Sequence, residues 1–98
     1  MAYRLDFHPA AEAELEEAVS WYQKQQSGLE QEFFDEYLEV ERRLEENAQQ
    51  FPAILENIRR ATFHRFPYSI FFLVEGDMVF ILAVFHQSRN PGEWEKRI

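Results

Sequence analysis

The chain has no cysteine among its 98 residues. Disulfides, thiolate zinc sites and a thiol nucleophile are therefore excluded. Long apolar runs are missing too, and no segment approaches the roughly 18 residues that a membrane-spanning helix needs. The opening MAYRLDFHP lacks the apolar stretch of a signal peptide, so the expectation is a cytoplasmic protein without a membrane partner. Positive charge is scarce: ten Lys and Arg face eighteen Asp and Glu, for a net charge of −8. Strong binding through phosphates normally needs a basic domain, which argues against a freestanding nucleic-acid binder. Phosphate-binding glycine loops, zinc signatures and nucleophile elbows do not occur in the sequence. Repeats, low-complexity segments and linkers are also lacking.

What the chain does have is aromatic bulk. Ten Phe, four Tyr and two Trp supply the apolar area for one modest core. A chain of this size buries roughly 60–65% of its unfolded surface, and residues 1–98 read as one domain. The charge is unevenly spread. From His8 to Asn47 there are twelve acidic and three basic residues, whereas Ala48 to Ile98 holds five acidic and six basic ones plus two His. The second half is the part that tolerates a polyanion.

Residues Tyr3 to Phe7 alternate apolar and charged, as a strand with one buried face does. Pro9 suits the first turn of a helix. Ala11, Leu15, Ala18, Val19 and Tyr22 then form an apolar stripe, while Glu12, Glu14, Glu16 and Glu17 face elsewhere. Ser27 and Glu30 have capping-box spacing and start a second helix with the stripe Leu29, Phe33, Tyr37, Val40 and Leu44, ending near Gln50. The tight connection makes an antiparallel helical hairpin. After Pro52 the period switches to two. Ile58–Arg65 reads as a strand, and Tyr68–Glu75 and Met78–Phe85 read as central strands, apolar on both faces. Gly76-Asp77 is their two-residue turn. That turn pairs Glu75 with Met78, Ser69 with Val84 and Tyr68 with Phe85, and puts His86 on the face of Val84 and Ser69. The order βααβββ plus a C-terminal tail is an α+β sandwich, a helical hairpin on a small antiparallel or mixed sheet.

Four residues stand out for chemistry: His64, Arg65, His86 and Arg89. Histidine transfers protons near neutral pH and arginine holds phosphate with two hydrogen bonds. The other reading puts His64 and Arg65 on a solvated strand edge and makes His86 a strand end. Trp94 and Arg97 belong either to a tail folded back on the sheet or to an aromatic seal on the core with Arg97 solvated. His8, Glu12 and Glu16 share one helix face, but that is better explained as a solvated acidic surface than as a metal site. Glu32, Asp35, Glu36 and Glu39 read the same way. No cofactor or metal is called for.

The segment from Arg59 to Phe72, of pattern RRxxxHRFPYxIFF, is followed by AVFHxSRxPxxWxxR from Ala83 to Arg97. Together they resemble the ParE/RelE superfamily of bacterial type II toxin–antitoxin toxins, and the resemblance extends over nearly the whole chain. It implies a RelE/ParE-like fold, a role of the plasmid-stabilization kind, and a cognate antitoxin that wraps an extended or helical segment around the toxin. Antitoxin or target contacts are expected at Arg59, Arg60, Arg65, Arg89, Trp94 and Arg97, the first three forming a cationic surface for acidic antitoxin side chains. In ribonuclease members, 2′-hydroxyl attack needs a base, an acid and a cation for the phosphorane charge. Those members commonly place Arg after the aromatic of the first hairpin strand, where this chain has Ser69. Another cation past the second strand is replaced by His86-Gln87, and Trp94 is the aromatic nearest the C-terminus. The chain therefore looks closer to the ParE-like branch, whose members are gyrase poisons. A ribosome-dependent mRNA endonuclease using His64, Arg65, His86 and Arg89 is the alternative, and an inert antitoxin-binding member is the third.

Overall fold

The computed structural model describes residues 2–98, the Pro91 side chain aside. Strand β1 (Arg4–Phe7) leads into helices α1 (Pro9–Gln25) and α2 (Leu29–Asn47), and a 3-10 turn (Ala48–Gln50) closes the second helix. Strands β2 (Ala53–Leu55), β3 (Ile58–Thr62), β4 (Tyr68–Glu75) and β5 (Met78–His86) follow, and a 3-10 segment (Pro91–Arg97) ends the chain. The sheet order is β1-β5-β4-β3-β2. β1 runs parallel to β5, and every other pairing is antiparallel. The expected α+β fold is present and its sheet is mixed. The short β2 is an addition to the expected strands, and β3 stops at Thr62, so Arg65 lies in a loop.

Local chemistry sets the helix boundaries. The His8 Nδ1 accepts the Ala10 N–H at 3.0 Å and Pro9 opens α1, as a first-turn proline should. The turn before α2 departs from the expected capping box. Gly28, not Ser27, is the cap, with φ 93°, a left-handed conformation that costs glycine nothing. Only the Glu30 half of the box forms: its carboxylate accepts the Gly28 N–H at 2.7 Å.

Both helices bury one stripe against the sheet. Phe33, fully buried, meets Tyr22 at 5.1 Å between ring centroids, Tyr68 at 5.1 Å, Phe66 at 5.3 Å and Phe63 at 5.6 Å. One aromatic side chain thereby joins α1, α2, β4 and the β3–β4 loop. The far face of the sheet is covered as well. Phe71, Leu73, Leu82, Phe85 and Ile58 form a second buried cluster, closed by Trp94, which stacks on Phe71 at 5.9 Å. That explains why β4 and β5 are apolar on both faces.

The hairpin turn falls at Gly76-Asp77, with Gly76 at φ 60° and Glu75 opposite Met78. Further along, the expected register fails. Phe72 faces Ile81 but Phe71 faces Ala83, so Leu82 is an extra residue, a β-bulge. Ser69 consequently pairs with Phe85 and Tyr68 with His86. Ser69 lies on the outer face, lining a cleft with Phe71 and Phe85, while Val84 packs in the core on the helix face.

Truncating Phe33 to Ala should cost about 3–5 kcal/mol, because the cavity is central and four rings lose a partner. The same is expected of Phe72→Ala. Leu38→Ala, at a position 43% exposed, should stay within about 0.5 kcal/mol. Urea unfolding midpoints compare them, and similar shifts for Phe33 and Leu38 would contradict this core assignment.

Candidate functional site

The open end of the β4–β5 hairpin gathers most of the chemistry. Two loops meet there, with the Gln87 N–H donating to the Pro67 carbonyl at 2.8 Å and the Phe63 N–H to Tyr68 at 2.9 Å. A cleft of about 350 Å³ opens on the outer face of the sheet. Phe71 and Phe85 make its floor, and Arg60, Thr62, Ser69, His86, Gln87 and Arg89 its walls. No carboxylate lines it, which is notable in so acidic a chain. The Ser69 hydroxyl donates to Thr62 Oγ1 at 3.3 Å. The His86 Nδ1 accepts the Ser88 N–H at 3.0 Å, with the Ser88 hydroxyl at 2.8 Å, and its ring meets Tyr68 edge-on at 5.2 Å. Burial raises the Tyr68 hydroxyl pKa above its ordinary value, and the Glu17 carboxylate adds to the rise.

Beside this end lies a residue that the sequence did not single out. Glu14 was expected to face solvent, yet it is 8% exposed. Its Oε1 accepts the Val84 N–H at 3.0 Å. Its carboxylate also takes Arg89 at 2.8 Å and Arg97 at 3.0 and 2.7 Å. Arg97 gives a further bond to the Leu82 carbonyl at 2.8 Å. Both guanidiniums lie over the Phe85 ring, Arg89 at 4.1 Å and Arg97 at 5.2 Å. The hydrogen bonds that Arg97 donates to the Glu14 carboxylate raise its pKa further, outweighing the opposing effect of burial. A solvated Arg97 is thus corrected: its side chain is 14% exposed and belongs to a part-buried ion pair with Glu14. A signal was present in the sequence. Glu14 sits three residues after Ala11 and four before Ala18, on the buried stripe itself.

The other candidates divide by location. Arg59 points to the helix side and donates to the carbonyls of Phe51 at 2.6 Å and Gln49 at 3.3 Å. Arg60 faces the outer cleft. Arg65 sits in the β3–β4 loop, paired with Glu32 at 2.7 Å. Glu36 accepts the backbone N–H groups of His64 at 2.7 Å and Arg65 at 3.1 Å. Arg59, Arg60 and Arg65 therefore do not share one cationic face. Alternation along β3 separates the first two, and the third follows the loop toward α2. Likewise Glu32 and Glu36 are not merely solvated, since they hold that loop. Trp94 is 3% exposed, and its stacking on Phe71 makes it both a folded-back tail and a seal on the core. His64 is exposed and is not part of the outer-cleft lining.

The assembled site is polar but poor in available charge. Arg89 is shared between Glu14 and Glu93, the latter at 2.7 Å, and Arg97 is consumed by Glu14. Arg60 is the cleft cation with no carboxylate in ion-pair range among the described residues.

A family model described as the ParE toxin of the type II toxin–antitoxin system, parDE, matches residues 5–91. The chain belongs to that family. Its fold is also similar to a solved structure described as a chromosomal ParDE TA system from P. aeruginosa, with a TM-score of 0.74 and 22% sequence identity. The match covers 87% of this chain and 96% of that one, and at such identity the likeness concerns the fold. No curated protein matches the sequence.

Glu14→Ala should destabilise the protein by about 3–5 kcal/mol, since it leaves Arg97 with an uncompensated charge in a nearly closed site. Glu14→Gln keeps the shape and a carbonyl for Val84 but loses the charge, and should fall between Ala and wild type. If denaturant midpoints show Glu14→Ala within about 0.5 kcal/mol of wild type, the range expected at ordinary surface sites, the clamp carries no weight.

Proposed function

We propose that this chain is a cytoplasmic toxin that acts on DNA gyrase by binding, and that a cognate antitoxin holds it inactive. The observation that supports this most is the state of the outer cleft. Phosphoryl transfer by RNA cleavage needs concentrated positive charge at the phosphorane and a positioned base. Here Ser69 and Gln87 line the cleft at the positions where nuclease relatives carry cations. Arg89 is offset by two carboxylates. The membership in the ParE toxin family points the same way.

A second reading keeps one specific observation in its favour. His86 and Arg89 do line one cleft with Arg60, so a base and a cation are at least adjacent. The antitoxin-free protein, mixed with programmed ribosomes, should leave the mRNA ends unchanged, and with gyrase and supercoiled DNA it should produce enzyme-dependent breaks. Codon-dependent cuts by the wild type that vanish in His86→Ala and Arg89→Ala would establish the nuclease instead. Loss of both activities would mark an inert member.

In this reading an acidic antitoxin side chain uses the outer cleft, with Arg60 as its cation. Arg60→Glu should weaken the antitoxin complex by about tenfold and flatten its salt dependence. Arg65→Glu should change it less, because Arg65 is already paired with Glu32. Titration calorimetry at two salt concentrations measures both, and an unaltered affinity for Arg60→Glu would place the antitoxin elsewhere.

A further inference from the structure

A groove of about 590 Å³ lies on the helix side of the hairpin's open end, between α1 and the tips of β4 and β5. Trp21, Tyr22, Tyr68 and Val84 wall it, with Glu17 and Arg89 also at its surface. Trp21 is 54% exposed and stands perpendicular to Tyr22 at 5.1 Å between centroids. Tyr22 meets Tyr68 at 6.1 Å. Three aromatic rings therefore border one depression, and the outermost of them is left open to water. A large apolar side chain beside a concave surface is a feature of interaction sites.

One carboxylate of the lining is uncompensated. Among the described residues, no cation lies within ion-pair range of Glu17 on α1. Arg89, the one cation in the lining, is held by Glu14 and Glu93 and stacked on Phe85. The groove thus combines aromatic faces with one uncompensated carboxylate, Glu17, at its rim, an arrangement that attracts a cation. An acidic segment would face the Glu17 carboxylate there, with Arg89 already held by Glu14 and Glu93.

We propose that this groove anchors an arginine or lysine of the antitoxin, on a segment where that cation is flanked by aliphatic residues. The assignment rests on the antitoxin reading above. The aliphatic neighbours cover Trp21 and Val84, and the cation lies against the aromatic rings with Glu17 beside it. The groove and the Arg60 cleft lie on opposite faces of the same sheet end. A segment crossing that end would present a cation to the helix side and a carboxylate to the outer side.

The test begins without the antitoxin. A random peptide library displayed on phage is selected against the full chain, and enriched peptides are synthesised and titrated against wild type, Trp21→Ala and Glu17→Lys. Both positions are exposed, and thermal melts confirm that the variants stay folded. Enriched peptides should carry Arg or Lys beside Leu, Ile, Val or Phe, and their affinity should fall as salt rises. Trp21→Ala should weaken them by about tenfold, and Glu17→Lys should weaken them and flatten the salt dependence. No enrichment, acidic enriched sequences, or wild-type affinity in both variants would overturn the proposal. The cognate antitoxin is then titrated against the same three proteins, with the same losses expected. Full antitoxin affinity in both variants would remove the antitoxin as the occupant. Failure of the antitoxin to bind even wild type, while the peptides bind, would sink the antitoxin reading itself and the assigned occupant with it.

Discussion

The buried carboxylate of Glu14 is the constraint around which the rest of this structure is arranged. An isolated ionised carboxylate is strongly disfavoured away from water, so its presence demands partners. It has three: the Val84 N–H and the guanidiniums of Arg89 and Arg97. These partners also solve a problem of the sheet. β1 pairs with β5 only as far as Phe7 and Ile81, which leaves the next stretch of β5 as an open edge. An unpaired edge exposes backbone groups that must be satisfied. Glu14 takes the Val84 N–H and Arg97 donates to the Leu82 carbonyl. One ion pair thereby stands in for a missing strand segment, and it sits where the Leu82 bulge interrupts regular pairing.

The same pair fixes the C-terminal segment. Arg97 is anchored on α1, and Trp94 is pressed onto Phe71 three residues earlier. The second face of the sheet is covered as a result, and the outer cleft acquires its Phe71 and Phe85 floor. Electrostatics follow from this too. Arg4, Arg42, Arg65, Arg89 and Arg97 are in ion pairs with carboxylates. Arg59 serves backbone carbonyls and Arg43 covers the Phe51 ring at 4.9 Å. Arginines that look like a polyanion-binding surface in the sequence are largely spent on holding the fold.

Periodicity was enough to show the helical hairpin, the central strands and the Gly76-Asp77 turn, because each rests on local spacing or local backbone preference. The register beyond Phe72 was not legible, for a physical reason. A slip of one residue is penalised when it moves apolar side chains into water. In β4 and β5 both faces are apolar and both are covered, so the pattern does not distinguish a bulged pairing from a regular one. The face of Ser69 was misjudged for that reason. Glu14, Glu32 and Glu36 were hidden differently. A glutamate on an amphipathic helix defaults to solvent, and its real role depends on partners some 30 to 80 residues away in sequence, such as Arg65, Arg89 and Arg97.

The candidate site was legible in kind but not in disposition. His86 and Arg89, expected at the hairpin's open end, line one cleft with Arg60 and Ser69, whereas Arg60 was expected beside Arg59 and Arg65, and Arg59, His64 and Trp94 are not in its lining. A fold supplies an address, and the side chains placed there decide the chemistry. At this address His86 and Arg89 line both the outer cleft and the helix-side groove. Arg89 in turn is bonded to Glu14, which also holds Val84 and Arg97. The two depressions therefore share walls and a common anchor.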